Sequence, residues 1–248
     1  MSAPSGAVAG SGTGPGRRWL VDAGAMVAFL IVVNGVVASL VDGWAEVAVL
    51  VGAAVLAVYA ALRRGYSTGE LGLAADDVGA GIRLGGPVAL LVLAGVVVAA
   101  LVPATREFFD DDRFVDIGAG EVFVEAALRI PLVTALGEEL LFRSVLLAIL
   151  LAGLGPWRAV LGSSLVFGLW HVLTTIGDLD GNEVSADFSA WEASLGVVVV
   201  VLVTGGAGVL FAWLRLRSNS VVAPWLVHTA FNTSAYVTGA VVVTGGHV

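Results

Sequence analysis

Long apolar runs recur through the 248 residues, and several reach the ~20 residues that carry a helix across a bilayer. In hydrocarbon, backbone N–H and C=O groups must be bonded within the chain, so runs of this kind fold as spanning helices. The expected fold class is all-α, a polytopic bundle of about seven spans, or eight if one run divides. A chain 58% hydrophobic and only 13% charged agrees with that. Cysteine is absent, which excludes disulfides and thiolate metal sites. All 12 basic residues are arginine, against 20 acids, and no basic patch exists, so no nucleic-acid partner is expected.

Taken in order, residues 1–18 read as a disordered tail, Gly/Ser/Ala/Pro-rich up to residue 16 and closed by Arg17 and Arg18. Spans are expected at Trp19 to Val41, Ala45 to Leu62 and Gly86 to Val102. Residues 65–85 read as a mixed-charge connection. After the acidic loop Pro103 to Gly120, a fourth helix runs from Glu121 to about Leu154, with a kink at Pro131. Trp157 to Ile176 follows, then a second acidic loop with Asp178, Asp180, Glu183, Asp187 and Glu192. Leu195 to Leu214 and Val221 to Val243 complete the bundle. With the N-terminus inside, eight arginines fall on inner segments and two, Arg106 and Arg113, on outer ones, as the positive-inside rule demands. Asp22 and Asn34 read as helix–helix hydrogen-bonders. Gly205-Gly206-Ala207-Gly208 reads as a close-packing surface.

The fourth helix departs from this apolar pattern. Glu138-Glu139-Leu140-Leu141-Phe142-Arg143 places three charges where each costs about 2.5–3.5 kcal/mol on insertion scales. Glu139 and Arg143 are four apart and can pair on one face. Glu138 is turned about 100° away and is left free for chemistry. Two further spans carry polar groups one turn from an aromatic or amide: Phe167 with His171, and His228 with Asn232. Counted from the inner end of each span, Glu138 lies ~24 Å deep, His171 ~21 Å, His228 ~12 Å and Asn232 ~18 Å, all inside the core. A carboxylate, two imidazoles and an amide can activate water and stabilise an oxyanion. They are also nearly the parts of a zinc site, and spacing alone leaves both open.

These three motifs, Glu-Glu-x-x-x-Arg, Phe-x-x-x-His and His-x-x-x-Asn, each on its own helix and in this order, resemble the signature of the CAAX-protease and bacteriocin-processing (CPBP, or Abi) intramembrane endopeptidases. The resemblance covers about 100 residues, Pro131 to Asn232, and implies a multi-pass protease of the cell membrane. It implies that Glu138 and His171 activate water, that His228 and Asn232 stabilise the oxyanion, and that Glu139, Arg143 and Phe167 support them. It further divides the chain into the tail, three spans with their loops (19–120), a catalytic core (121–243) and a short end (244–248). The expected partners are membrane lipid and a membrane-bound or lipidated peptide, prenylated and CAAX-like or small. A metal-free glutamate mechanism is favoured over zinc held by Glu and His, since His-Glu-x-x-His is lacking. A membrane bundle of this kind could instead be a non-catalytic immunity or scaffold protein, a proton-relaying transporter or a rhomboid-type serine peptidase. Full retention of the motifs, the lack of paired broken helices and the missing glycine after Gly162-Ser163-Ser164 argue against these in turn.

Overall fold

The computed structural model describes residues 17–111, 114–181 and 189–245. The expected tail up to residue 16, Arg113, Glu183, Asp187 and His247 lie outside the described residues. Within them every regular element is helical. The seven long helices are α1 (Arg18–Ser39), α2 (Gly43–Arg63), α3 (Val78–Leu101), α4 (119–151), α5 (Pro156–Gly181), α6 (Ala190–Ser218) and α7 (Val222–Gly245). All but α4 are long and apolar enough to cross a membrane, and together they make a multi-pass membrane bundle.

The exception, α4, is the centre of the bundle. Every residue from Leu141 to Ile149 is buried, so no face of this stretch meets lipid. A helix enclosed on all sides can carry charge where a lipid-facing one cannot. Its backbone is also irregular. Ala119–Val124, Leu136–Glu138 and Leu147–Leu151 are ordinary α turns, while Glu125–Ala135 and Glu139–Leu146 adopt the wider π register. Such turns are rare and concentrate at functional sites. The helix runs on through Pro131 instead of breaking there. In the π register the missing Pro131 N–H leaves the Ala126 carbonyl without its helical donor, and the Thr233 hydroxyl of α7 donates to it (3.2 Å). Trp225 Nε1–H donates to the Pro131 carbonyl (2.8 Å). The helix carrying the last motif therefore patches the helix carrying the first.

Small residues set the other close approaches. A Cβ on Gly85 would stand 2.6 Å from the Ala223 carbonyl oxygen, and one on Gly81 2.8 Å from Val222, so α3 lies directly on α7. On α5, a Cβ at Gly168 would meet the Val201 carbonyl at 2.7 Å. On α6, one at Gly208 would meet Ser164 at 3.1 Å, as expected of the glycine-rich stretch. Asn34 Nδ2–H donates to the Trp170 carbonyl (2.8 Å), tying α1 to α5. Buried Asp22 pairs with Arg64, lies 3.8 Å from Arg18 and accepts from the Tyr66 hydroxyl at 3.4 Å. Asp22 and Asn34 of α1 therefore both bond beyond their own helix.

Three boundaries differ from expectation. Gly86 was the expected start of α3, but the helix begins at Val78, because glycines that read as a loop are the surface it lays on α7. Leu195 was the expected start of α6, but it begins at Ala190. There Ser189 and Glu192 form a capping box, with Glu192 Oε2 accepting the Ser189 N–H at 2.8 Å. α5 likewise extends to Gly181, so Asp178 and Asp180 belong to the helix and not to a loop.

The connection between α2 and α3 docks on the α6–α7 turn. Gly65, at φ +94°, ends α2 in a Schellman motif, with its N–H on Leu62 O and that of Tyr66 on Ala61 O. Gly72, at φ +68°, leaves the space that Arg215 occupies and accepts the Val221 N–H at 3.0 Å. Arg215 in turn donates to the Glu70 carbonyl (2.8 Å). Trp19 packs on Gly153 at the same end. The arginine-rich turns thus gather at one end of the bundle.

Candidate active site on four helices

Glu138 and Glu139, adjacent in sequence, have different surroundings. Glu139 is wholly buried, and its Oε1 is shared: Arg143 Nη1 lies 3.3 Å away, one turn along α4, and His228 Nδ1–H donates to it at 2.9 Å from α7. The pair drawn from the i,i+4 spacing is therefore present, with an imidazole added to it. Glu138, also buried, makes no hydrogen bond through Oε2. Its nearest ionisable neighbour is His228, whose Nε2 stands 3.8 Å from that oxygen.

His228 therefore sits between the two carboxylates. The bond from Nδ1–H to Glu139 fixes the ring orientation and turns Nε2 toward Glu138.

Arg143 is held by charge and by ring faces more than by directed hydrogen bonds. Its guanidinium carbon lies 3.8 Å from the Phe167 ring centroid, 5.0 Å from that of Phe211 and 5.9 Å from that of Phe142. Phe167 also meets the edge of His171 at 4.7 Å and of His228 at 6.1 Å. One ring thus spaces both imidazoles and the arginine. Phe211 of α6 stacks on His228, with centroids 5.0 Å apart and planes at 22°. The sequence singled out nothing at Phe211, because an aromatic in an apolar span carries no local signal of the ring it will face.

His171 is half-buried on α5. Its Nδ1–H donates to the Phe167 carbonyl (2.8 Å), which leaves Nε2 as an acceptor when the ring is neutral. It makes no hydrogen bond to Glu138; the imidazole beside that carboxylate is His228. Asn232, one turn beyond His228, is half-buried and lines a cavity of about 990 Å³ between α3, α4, α7 and the α3–α4 connection. Phe108, Phe109, Phe114, Phe231 and Tyr236 make that cavity aromatic, and Thr134, one turn before Glu138, brings it toward the carboxylates. Among the described residues no three His, Cys, Asp or Glu side chains are arranged to share a metal ion.

The arrangement can therefore hold a buried carboxylate with open lone pairs next to an imidazole, near a chamber lined by aromatic rings and by Asp111, Glu125, Thr134 and Asn232. No curated protein and no solved structure matches the chain. Residues 121–234, which include all seven motif positions, match the family model described as type II CAAX prenyl endopeptidase Rce1-like. Over those residues the chain carries a domain of the CAAX-protease family of intramembrane endopeptidases.

Proposed function

We propose that the chain hydrolyses a peptide bond of a membrane-associated substrate, prenylated and CAAX-like or a small peptide, in the cell membrane, with Glu138 as the base that activates water. One observation carries this. Of two adjacent buried glutamates, Glu139 is committed through Oε1 to Arg143 and His228, while Glu138 Oε2 accepts no hydrogen bond and has the His228 ring 3.8 Å away. An ionisable group kept free at that depth has chemistry as its best account.

In this reading Glu138 takes a proton from water, and the hydroxide oxygen bonds to the scissile carbonyl carbon. His228, as imidazolium, donates through Nε2–H to the resulting oxyanion, and Asn232 donates through its side-chain N–H from the next turn. His171, with Nε2 an acceptor, orients that water through its second O–H, and the proton held on Glu138 passes to the leaving nitrogen as the carbonyl re-forms and the C–N bond breaks. With no bond joining Glu138 to His171, the two act on one another through the attacking water. The aromatic cavity beside Asn232 suits the apolar part of a lipidated substrate.

The test is cleavage of a fluorogenic prenylated CAAX peptide by purified protein in detergent. Glu138→Gln and His171→Ala are each expected to abolish it, and a chelator to leave it unchanged. Wild-type rates in Glu138→Gln would refute the assignment. Loss on chelation, restored by zinc, would refute the metal-free step.

A further inference from the structure

A second apolar groove, separate from the site, runs between α5 and α6 at the arginine-rich end. Its volume is about 800 Å³, and it follows α6 from Gly206 to Leu216, with Trp157, Arg158, Leu210 and Trp213 along its sides. Ten residues of helix measure ~15 Å, half of a ~30 Å hydrocarbon core. The groove is therefore as long as one leaflet is deep. Near Gly206 it is open: a Cβ there would meet nothing within 4 Å. Trp157 and Trp213 are exposed on its rim, where amphipathic rings sit at a membrane interface.

Its charge is one-sided. Arg158 lines the mouth, and the exposed Arg217 stands over the Trp213 ring at 6.0 Å. Neither arginine forms an ion pair among the described residues, whereas Arg18, Arg64, Arg129 and Arg143 each face a carboxylate. Two unneutralised cations at the end of a leaflet-long apolar slot complement one kind of molecule, an anion carried on a hydrocarbon tail.

We propose that this groove binds one anionic phospholipid of the leaflet at the arginine-rich end. Its phosphate lies at Arg158 and Arg217, and one acyl chain lies along α6 as far as Gly206. The lipid then braces α5 and α6, the helices that deliver His171 and Phe211, without touching either residue.

The test is native mass spectrometry of the full chain in detergent, titrated with phosphatidylglycerol and with phosphatidylcholine, with melting temperature followed in parallel. One phosphatidylglycerol should be retained per chain and raise the melting temperature, with phosphatidylcholine weaker. Arg158→Gln with Arg217→Gln should weaken phosphatidylglycerol roughly thirtyfold, from about fivefold for each arginine at an anionic surface. Gly206→Leu, whose side chain enters open space, should fold normally and exclude both lipids. Equal retention of both lipids by the wild type would overturn the proposal. So would retention untouched by Gly206→Leu, or a lipid-free dimer dispersed by that substitution, which would make the groove an interface between copies.

Discussion

Replacing Glu139 by Gln should cost stability, while replacing Glu138 by Gln should cost only activity. Glu139 is fully buried and its Oε1 serves both Arg143 (3.3 Å) and His228 (2.9 Å). The amide keeps an oxygen for one of them but removes the charge, leaving the guanidinium uncompensated among the Phe167 and Phe211 rings. Removing one partner of a buried pair costs about 3–5 kcal/mol, and the retained oxygen places this case near the lower bound. At roughly 2–4 °C per kcal/mol for a chain of this size, the melting temperature should fall by about 6–12 °C. Glu138 has no hydrogen bond through Oε2 to lose, and the His228 ring stands 3.8 Å away, so the melting temperature of Glu138→Gln should stay within about 2 °C of wild type. Cleavage by Glu138→Gln should nevertheless drop by ~10²–10⁴, the usual contribution of a general base. Thermal unfolding in detergent and single-substrate kinetics on the same preparations read both quantities. The reasoning fails if the two variants lose stability equally, or if Glu138→Gln keeps cleavage within tenfold of wild type.

Other substitutions test the surrounding structure. Phe211→Leu removes the ring stacked on His228 and beneath Arg143; a loss of about 1–2 kcal/mol in stability and a fall in kcat/KM of roughly tenfold are expected, read by unfolding and by peptide cleavage. Gly85→Ala, with its Cβ 2.6 Å from the Ala223 carbonyl oxygen, should destabilise by about 1–3 kcal/mol, whereas Gly86→Ala, which meets nothing within 4 Å, should be neutral or slightly stabilising in the same melt. Ser67 donates its N–H and hydroxyl to the Glu70 carboxylate and holds its pKa below the usual 4.5. A carboxylate lowered on folding contributes stability above its unfolded pKa and loses it as pH falls through the folded one. Glu70→Gln should therefore lower the melting temperature at pH 7, with the difference from wild type closing in acid. A gap that persists unchanged below the lowered pKa would contradict this.

Much of this protein is set locally. The apolar runs become helices because nothing else satisfies the backbone in lipid, and their ends follow from caps and glycines such as Ser189, Glu192 and Gly65. The Glu139–Arg143 pair and the shared face of Phe167 and His171 follow from helical periodicity, which acts between residues one turn apart. Tertiary structure decided the rest. Spacing along a chain says nothing about how one helix is rotated against another, so it could not show that His228, and not His171, stands beside Glu138. Neither could it show that Phe211 stacks on His228, or that Gly81 and Gly85 form a helix surface on α7 and not a loop. The role of Pro131 likewise depended on the neighbour that supplied Thr233 and Trp225 to its broken backbone bonds. Sequence alone placed the candidate site on three helices and, through the one-turn spacing to Arg143, marked Glu139 as the paired carboxylate; only packing set His228 between the two glutamates, because that position rests on contacts between residues far apart in the chain.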